Sequence, residues 1–176
     1  MIPKTTSVLH RSLVGFVGIA CFAAAGCGGA SGTTAGDSGG PVAQKPLSGT
    51  IGSASFTAMS AFAGSASGTG RSVTIWGKAG DCANMPVLAD GENQILLSVD
   101  PWQSGTAYQL SFDFSNLAAA KTVTFVTGPS TNDVATVGRV ELVTAASAGT
   151  MGLLRLRASS GTKGSVEGQI AVTACN

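Results

Sequence analysis

The stretch GLLRLRA, residues 152–158, decides the fold class of this chain. In it Leu154 and Leu156 alternate with Arg155 and Arg157. Successive side chains of a β-strand point to opposite faces of a sheet, so this order predicts a strand that buries its leucines. The two arginines then share the other face, which we expect to be solvated.

The same alternation recurs along the chain from about residue 46 onward. Each run is short, and Gly, Asn, Asp or Pro residues typical of turns separate the runs. The other runs are PLSGTIGSASFTA (46–58), RSVTIWGK (71–78), NQILLSVD (93–100), TAYQLSFDF (106–114), KTVTFVT (121–127), ATVGRVELVT (135–144) and GSVEGQIAVTACN (164–176). Only SNLAAAKT (115–122) could form a helical turn. We predict an all-β protein in which residues 47–176 form an antiparallel β-sandwich of about eight strands.

Most aromatic residues of this region occupy apolar strand positions, and we expect them in the core: Phe56, Phe62, Trp76, Tyr108, Phe112, Phe114 and Phe125. Trp102 is the exception, because it follows a turn proline in the loop DPWQSG (100–105). It is either a plug for that loop or an exposed stacking platform that contacts a ligand.

The first 26 residues have the order of a signal peptide. Lys4, His10 and Arg11 come first, and the apolar run SLVGFVGIACFAAAG follows, which is too short and too rich in Gly and Ala for a lasting membrane span. The run ends in AAGC, residues 24–27, and this tetrapeptide resembles the lipobox of bacterial lipoproteins. An ordinary signal cut near Ala25 is the alternative.

The lipobox resemblance implies that Cys27 is lipidated and becomes the mature N-terminus. Its acyl chains, palmitate among them, would anchor the protein to a membrane, since each buried methylene contributes about 0.8 kcal/mol. Gly28 replaces the aspartate associated with retention in the inner membrane, so the resemblance implies the outer membrane, on its periplasmic or surface side. Cys21 is a rival site, but bulky Ile19 precedes it where small residues are preferred.

Residues 27–46 consist mostly of Gly, Ser, Ala, Thr and Pro, and we predict a disordered, flexible tether. The tether contains GDSGGPV, residues 36–42, which resembles the segment around the nucleophilic serine of chymotrypsin-like proteases. A serine nucleophile needs a base, and His10, the sole histidine, lies in the leader. Ser38 is therefore not expected to be catalytic, and no catalytic residue is assigned.

The exported part retains Cys82 and Cys175 once Cys27 is acylated. Thiols oxidise outside the cytoplasm, and these two have no other partner, so we predict a disulfide between them. Without a histidine nearby, the pair does not have the spacing of a zinc site.

Charge and ligand composition limit the function classes. Charged residues make up 11% of the chain and the formal net charge is +1, so there is no basic stripe for nucleic acid. We expect no cofactor and no metal. Calcium remains an alternative at the turns ADGEN (89–93) and STNDV (130–134), although neither matches an EF-hand loop. A hydrolase would need two carboxylates in one cleft, and none of the scattered acids is singled out.

The body also resembles a group of uncharacterised secreted domains in bacterial lipoproteins. The resemblance rests on LSGTIGSASFTA (47–58), Cys82, VATVGRVEL (134–142) and GSVEGQIAVTAC (164–175). It implies a secreted β-sandwich domain and no particular activity or functional residue.

These observations together predict a lipid-anchored protein of the cell envelope, acting as a non-enzymatic binding or structural module. Its partner would be an envelope protein or a glycan. The alternatives are a carbohydrate- or calcium-binding accessory domain that uses Trp102 and the acidic turns near it, and a carboxylate-dependent hydrolase.

Overall fold

The structure is a computed structural model, and it describes residues 39–128 and 130–175. Within these ranges the chain forms strands and two short 3₁₀ turns, at Leu117–Ala119 and Gly161–Lys163. The strands of the described residues are β1 (Ser48–Ile51), β2 (Ala54–Thr57), β3 (Ser60–Ser67), β4 (Gly70–Trp76), β5 (Asn93–Val99), β6 (Thr106–Gln109), β7 (Val123–Thr127), β8 (Thr131–Ala135), β9 (Val137–Thr144), β10 (Met151–Ser159) and β11 (Gly164–Ala174). The all-β prediction is confirmed.

These strands form one hydrogen-bonded sheet with the order β6-β9-β10-β11-β3-β4-β5-β7-β8, and β1 pairs with both β11 and β2. Every strand pair is antiparallel except β11 with β3, whose parallel ladder spans only two residues of each strand. The sequence predicted a sandwich, whereas the structure is a curled open sheet. The twist between neighbouring strands accumulates over so many strands and lets one sheet curl around its own core.

The strand count exceeds the prediction because some strands lack a strong apolar alternation. β3 consists of small residues apart from Phe62, and β8 lies in the segment interpreted as a polar turn. The run 46–58 also turns back on itself and supplies both β1 and β2. These strands are defined by backbone hydrogen bonding to the adjacent strand and not by side-chain alternation.

The core lies inside the curl and collects inward-facing side chains from most of the strands. Leu154 and Leu156 are fully buried, as their alternation predicts. The largest fully buried side chains are Phe125, Leu47, Ile51, Ile75, Ile95, Leu142, Leu154, Leu156, Val73, Val99, Val123 and Val140.

The aromatic prediction is right for Phe56, Phe62, Trp76 and Phe125, which are buried, and Tyr108 is partly buried against the core. It is wrong for two others in the run TAYQLSFDF: Phe112 is 40% exposed and Phe114 is 86% exposed.

The register explains this error. β6 ends at Gln109, which lies opposite Arg139 in β9. Counting along the same antiparallel register, Phe112 would lie beyond Val137, where β9 begins. The chain therefore leaves the sheet after Leu110, although the alternation continues in the sequence.

The described part of the predicted tether, residues 39–46, lies against the sheet. Val42 is 2% exposed. The Gln169 N–H donates to the Lys45 carbonyl at 2.7 Å, and the Leu47 N–H donates to the Gln169 carbonyl at 3.0 Å. The segment before β1 thus extends the edge of the β11 ladder.

Among the described residues, no helix has the length and apolar character that crossing a bilayer would require.

Candidate functional site

Two residues singled out from the sequence, Cys27 and Ser38, lie outside the described residues. Lipidation of Cys27 stays a prediction, as does the absence of a catalytic role for Ser38.

The predicted disulfide is confirmed: Cys82 and Cys175 are bonded, with Sγ atoms 2.03 Å apart and Cα atoms 5.4 Å apart. Cys175 directly follows β11, and its N–H donates to the Ala63 carbonyl at 2.8 Å. Cys82 belongs to the long loop between β4 and β5. The bond therefore fastens that loop to the end of the last strand.

Trp102 fills the loop between β5 and β6. Its indole packs against the core cluster, and its Nε1–H donates to the Ala146 carbonyl at 2.8 Å. The Trp102 backbone N–H also donates to the Thr69 carbonyl at 2.8 Å. This arrangement corresponds to the plug interpretation.

The acidic turn at residues 89–93 lies far from Trp102. Asn93 begins β5 and Trp102 follows its other end, which separates them by about 20 Å of strand. Within the turn, Glu92 pairs with Lys78 at 2.5 Å and accepts a hydrogen bond from the Ala89 N–H at 2.8 Å. The pKa of Glu92 is lowered, first by the hydrogen bond from Lys78. Among the described residues, no group of three or more His, Cys, Asp or Glu side chains is arranged to hold a metal ion.

The outer face of β9 and β10 carries a band of paired charges. The Arg139 Nε–H donates to Glu141 at 2.7 Å, and the Arg155 Nε–H donates to Gln169 at 3.3 Å. A second oxygen of Glu141 lies 3.8 Å from Arg155. The arginine face that was expected to be solvated is partly so, since 19% of the Arg155 side chain is exposed.

Arg157 and Glu167 hold the segment that precedes β1. The Arg157 Nε–H donates to Glu167 at 3.0 Å, and its Nη2–H donates to the Pro41 carbonyl at 2.9 Å. Glu167 in turn accepts from the Ala43 N–H at 3.3 Å. Burial disfavours the charge on Glu167, but these hydrogen bonds and nearby cations outweigh it, and the pKa of Glu167 is lowered.

Gly168 lets this segment pass close to β11. Its φ is +145°, and a Cβ on it would come within 2.6 Å of the Leu47 Cα and of the Lys45 and Pro46 carbonyl oxygens. Any larger residue would push the segment away from the strand.

An open groove of about 440 Å³ crosses the outer face of β4, β5 and β7. Half of its lining residues are serine or threonine. We call it the hydroxyl groove and define it by Ser72, Thr74, Leu96, Ser98, Lys121, Thr122 and Thr124. The register places Ser72 beside Ser98. Leu96 lies between Thr74 on one neighbouring strand and Thr124 on the other.

The hydroxyls of this groove have no hydrogen-bond partner within the part of the chain that the structure describes. They are therefore available to a ligand. A hydroxyl supplies one donor and two acceptor positions, so the groove can bind a molecule that is itself rich in donors and acceptors.

One wall of the groove is formed by residues 120–122. Lys121 pairs with Ser111 in an isolated antiparallel bridge and lies 5.6 Å from the centre of the Tyr108 ring. Tyr108 is fixed in turn, because its hydroxyl donates to the Ser98 carbonyl at 2.6 Å. Burial, and to a lesser extent the Asp100 carboxylate, raises the pKa of Tyr108, so the phenol keeps its proton at neutral pH.

Exposed apolar side chains continue from this wall. Phe112 follows Ser111 directly and packs edge-on against Phe114, with ring centres 4.7 Å apart. Leu117 in the same loop is 61% exposed.

A second open cleft of about 440 Å³ lies where β11 and β3 pair for only two residues. Met59, Met151, Leu153 and Ile170 give it an apolar lining. No titratable side chain lines this cleft among the described residues.

The hydroxyl groove was not predicted from the sequence. Its signal was visible as Ser and Thr at the outward positions of three predicted strands, in RSVTIWGK, NQILLSVD and KTVTFVT. The order of those strands in the sheet decides that the alcohols share one surface.

Comparisons with protein-family models, with curated proteins and with solved structures found no match to the chain. The proposals below therefore depend on the residues and geometry of this chain alone.

Proposed function

We propose that this is a lipid-anchored protein of the cell envelope, placed at the outer membrane by its lipobox, and that its β-domain is a non-enzymatic binding module. The observation that supports the binding role is the hydroxyl groove, where neighbouring strands present alcohols that hydrogen-bond to no described residue. Binding sites generally combine an apolar surface with a few polar groups that fix orientation, and Leu96 with its surrounding hydroxyls has this composition.

The anchor is supported by the sequence AAGC at residues 24–27 behind a short apolar run. Acyl chains on Cys27 would hold the domain at a membrane surface.

The contacts of Arg157 and Glu167 support a domain that is tethered at a defined point. They hold residues 40–43 against β10 and β11. The groove lies on other strands, β4, β5 and β7, and none of residues 39–46 lines it. A module built in this way can remain anchored while its groove is occupied.

Metabolic labelling with a radioactive fatty acid tests the anchor. We expect label on the wild-type protein and none on Cys27→Ser, with Cys21→Ser as the matched control that keeps its label. Label that is retained in Cys27→Ser, or an intact mass with an unmodified N-terminus, would refute the anchor.

Photo-crosslinking in the native envelope tests the binding role. A photoreactive phenylalanine analogue in place of Leu96 is expected to form an adduct with an envelope component. The same analogue in place of Val137, which is exposed on β9, is the control. Equal adduct patterns at both positions would refute the groove as the binding surface.

A further inference from the structure

We infer that the hydroxyl groove binds a polysaccharide strand that carries carboxylate groups. This inference rests on the proposed binding function and specifies the ligand class of the same groove.

The arrangement of the alcohols matches a polyol ligand. Neighbouring strands are about 4.8 Å apart, so Ser72 and Ser98 form one step of a polar row across the sheet. Thr74 and Thr124 form a second row on either side of Leu96. Sugar hydroxyls both donate and accept hydrogen bonds, as do these side chains. The two sets can therefore pair without leaving a donor or an acceptor unpaired.

Leu96 supplies the apolar part of the surface. It is 36% exposed at the centre of the second row, between two threonine side chains. A pyranose ring presents C–H groups on its faces and hydroxyls at its edge. The ring can therefore cover Leu96 while its edge hydroxyls reach the flanking threonines.

Lys121 sets the preference for an acidic sugar. It lines the groove, and it forms no ion pair within the described residues. Among the described residues that line the groove there is no carboxylate side chain, so Lys121 gives the groove an attractive charge for a bound carboxylate. The Tyr108 ring, fixed by its bond to Ser98, holds the lysine on that side.

The shape of the surface favours a polymer over a small molecule. One wall, residues 120–122, rises beside a sheet face that spans three strands, and the surface is a groove open to solvent. A strand of linked sugars can lie along such a groove, with successive rings using successive hydroxyls.

Affinity electrophoresis of the mature, full-length protein in detergent tests the inference. The gels contain polygalacturonate, dextran or no polysaccharide. We expect polygalacturonate to retard the wild type with an apparent Kd at least tenfold lower than that for dextran. Thr74→Val with Thr124→Val replaces both hydroxyls by methyl groups of the same shape, and we expect at least a tenfold loss of retardation.

Two further variants make the result specific. Lys121→Met is expected to remove the preference for polygalacturonate over dextran. Thr131→Val is the matched control, because Thr131 is an exposed threonine at the start of β8, outside the groove. We expect polygalacturonate to retard this variant as much as the wild type. Unchanged melting temperatures would show that the variants fold.

Wild-type protein that neither polysaccharide retards would overturn the inference, as would retardation that the double variant does not reduce. Fatty-acid labelling of Cys27 and a protein adduct from position 96 would still support the proposed function in that case. The two failures are therefore distinguishable.

Discussion

The Tyr108 hydroxyl donates a hydrogen bond to the Ser98 carbonyl at 2.6 Å and so joins two strands that are not neighbours in the sheet. Tyr108 lies in β6 at one edge, whereas Ser98 lies in β5 near the other. The bond therefore crosses the curl of the sheet. It also fixes the ring that lies beneath Lys121 at the wall of the hydroxyl groove.

This bond predicts a loss of stability at high pH. The pKa of Tyr108 is higher in the folded protein than in the unfolded chain, where it is about 10. The unfolded chain thus releases the phenolic proton first. The stabilisation is fully present below about pH 10 and is lost as pH rises through the folded pKa.

Urea unfolding between pH 7 and pH 11 measures this effect, with Tyr108→Phe as the control. At pH 7 the variant is expected to lose about 1 kcal/mol with the hydrogen bond, and the difference should shrink above pH 10. Tyr108 is the single tyrosine of the chain, so ultraviolet absorbance of phenolate follows it directly. If the phenolate absorbance of Tyr108 in the folded protein rose with a midpoint at pH 10, the prediction would be contradicted.

The disulfide predicts a large dependence of stability on oxidation. Cys82 and Cys175 are 93 residues apart in sequence, and in the chain-entropy model closing a loop of that size stabilises the fold by about 4.6 kcal/mol. Cys82→Ser with Cys175→Ser is expected to lower the free energy of unfolding by about that amount.

Unfolding with and without a reductant provides the control, because reductant should destabilise the wild type and leave the double variant unchanged. Both thiols are expected to resist maleimide in the folded, oxidised protein. Free reaction of both in the native state would contradict the bond.

The alternation of Leu154 and Leu156 was sufficient to predict strand type and the buried face, because side-chain direction along a strand is a local property. The end of a strand is different. Phe112 and Phe114 continue the alternation of Tyr108 but are exposed, since their partner strand begins at Val137 and leaves them unpaired.

The hydroxyl groove also depends on long-range pairing. Ser72 and Ser98 come together because β4 and β5 align in one particular register. A shift of one residue would turn one of these side chains toward the core. The pattern of each strand predicts which side chains point outward, but the strand order decides which of them become neighbours.

A variant of Trp102 distinguishes two possible ligand surfaces, the hydroxyl groove and the loop that contains Trp102. Trp102→Phe keeps most of the packing and leaves the Ala146 carbonyl without its indole donor, so we expect a loss of about 1 kcal/mol in unfolding free energy. Trp102 does not line the hydroxyl groove, and polygalacturonate retardation is expected to stay at the wild-type level. If a folded Trp102→Phe variant lost its retardation, the ligand would contact the Trp102 loop and not the hydroxyl groove.

The Arg157–Glu167 pair predicts that acid releases the segment before β1. The pKa of Glu167 is lower in the folded protein than in the unfolded chain, so its contribution is present above pH 4.5 and is lost as pH falls through the folded pKa. Hydrogen exchange of the peptide covering residues 39–46 measures the release. We expect at least tenfold faster exchange at pH 7 in Glu167→Gln, because the neutral amide forms no ion pair with Arg157 and is a weaker acceptor than the carboxylate. Arg155→Met is the matched control, since Arg155 lies on the same face of β10 but bonds Gln169 and Glu141 instead. Exchange in Glu167→Gln that is no faster than in Arg155→Met and in the wild type would contradict the prediction and leave the backbone contacts to Gln169 as what holds the segment.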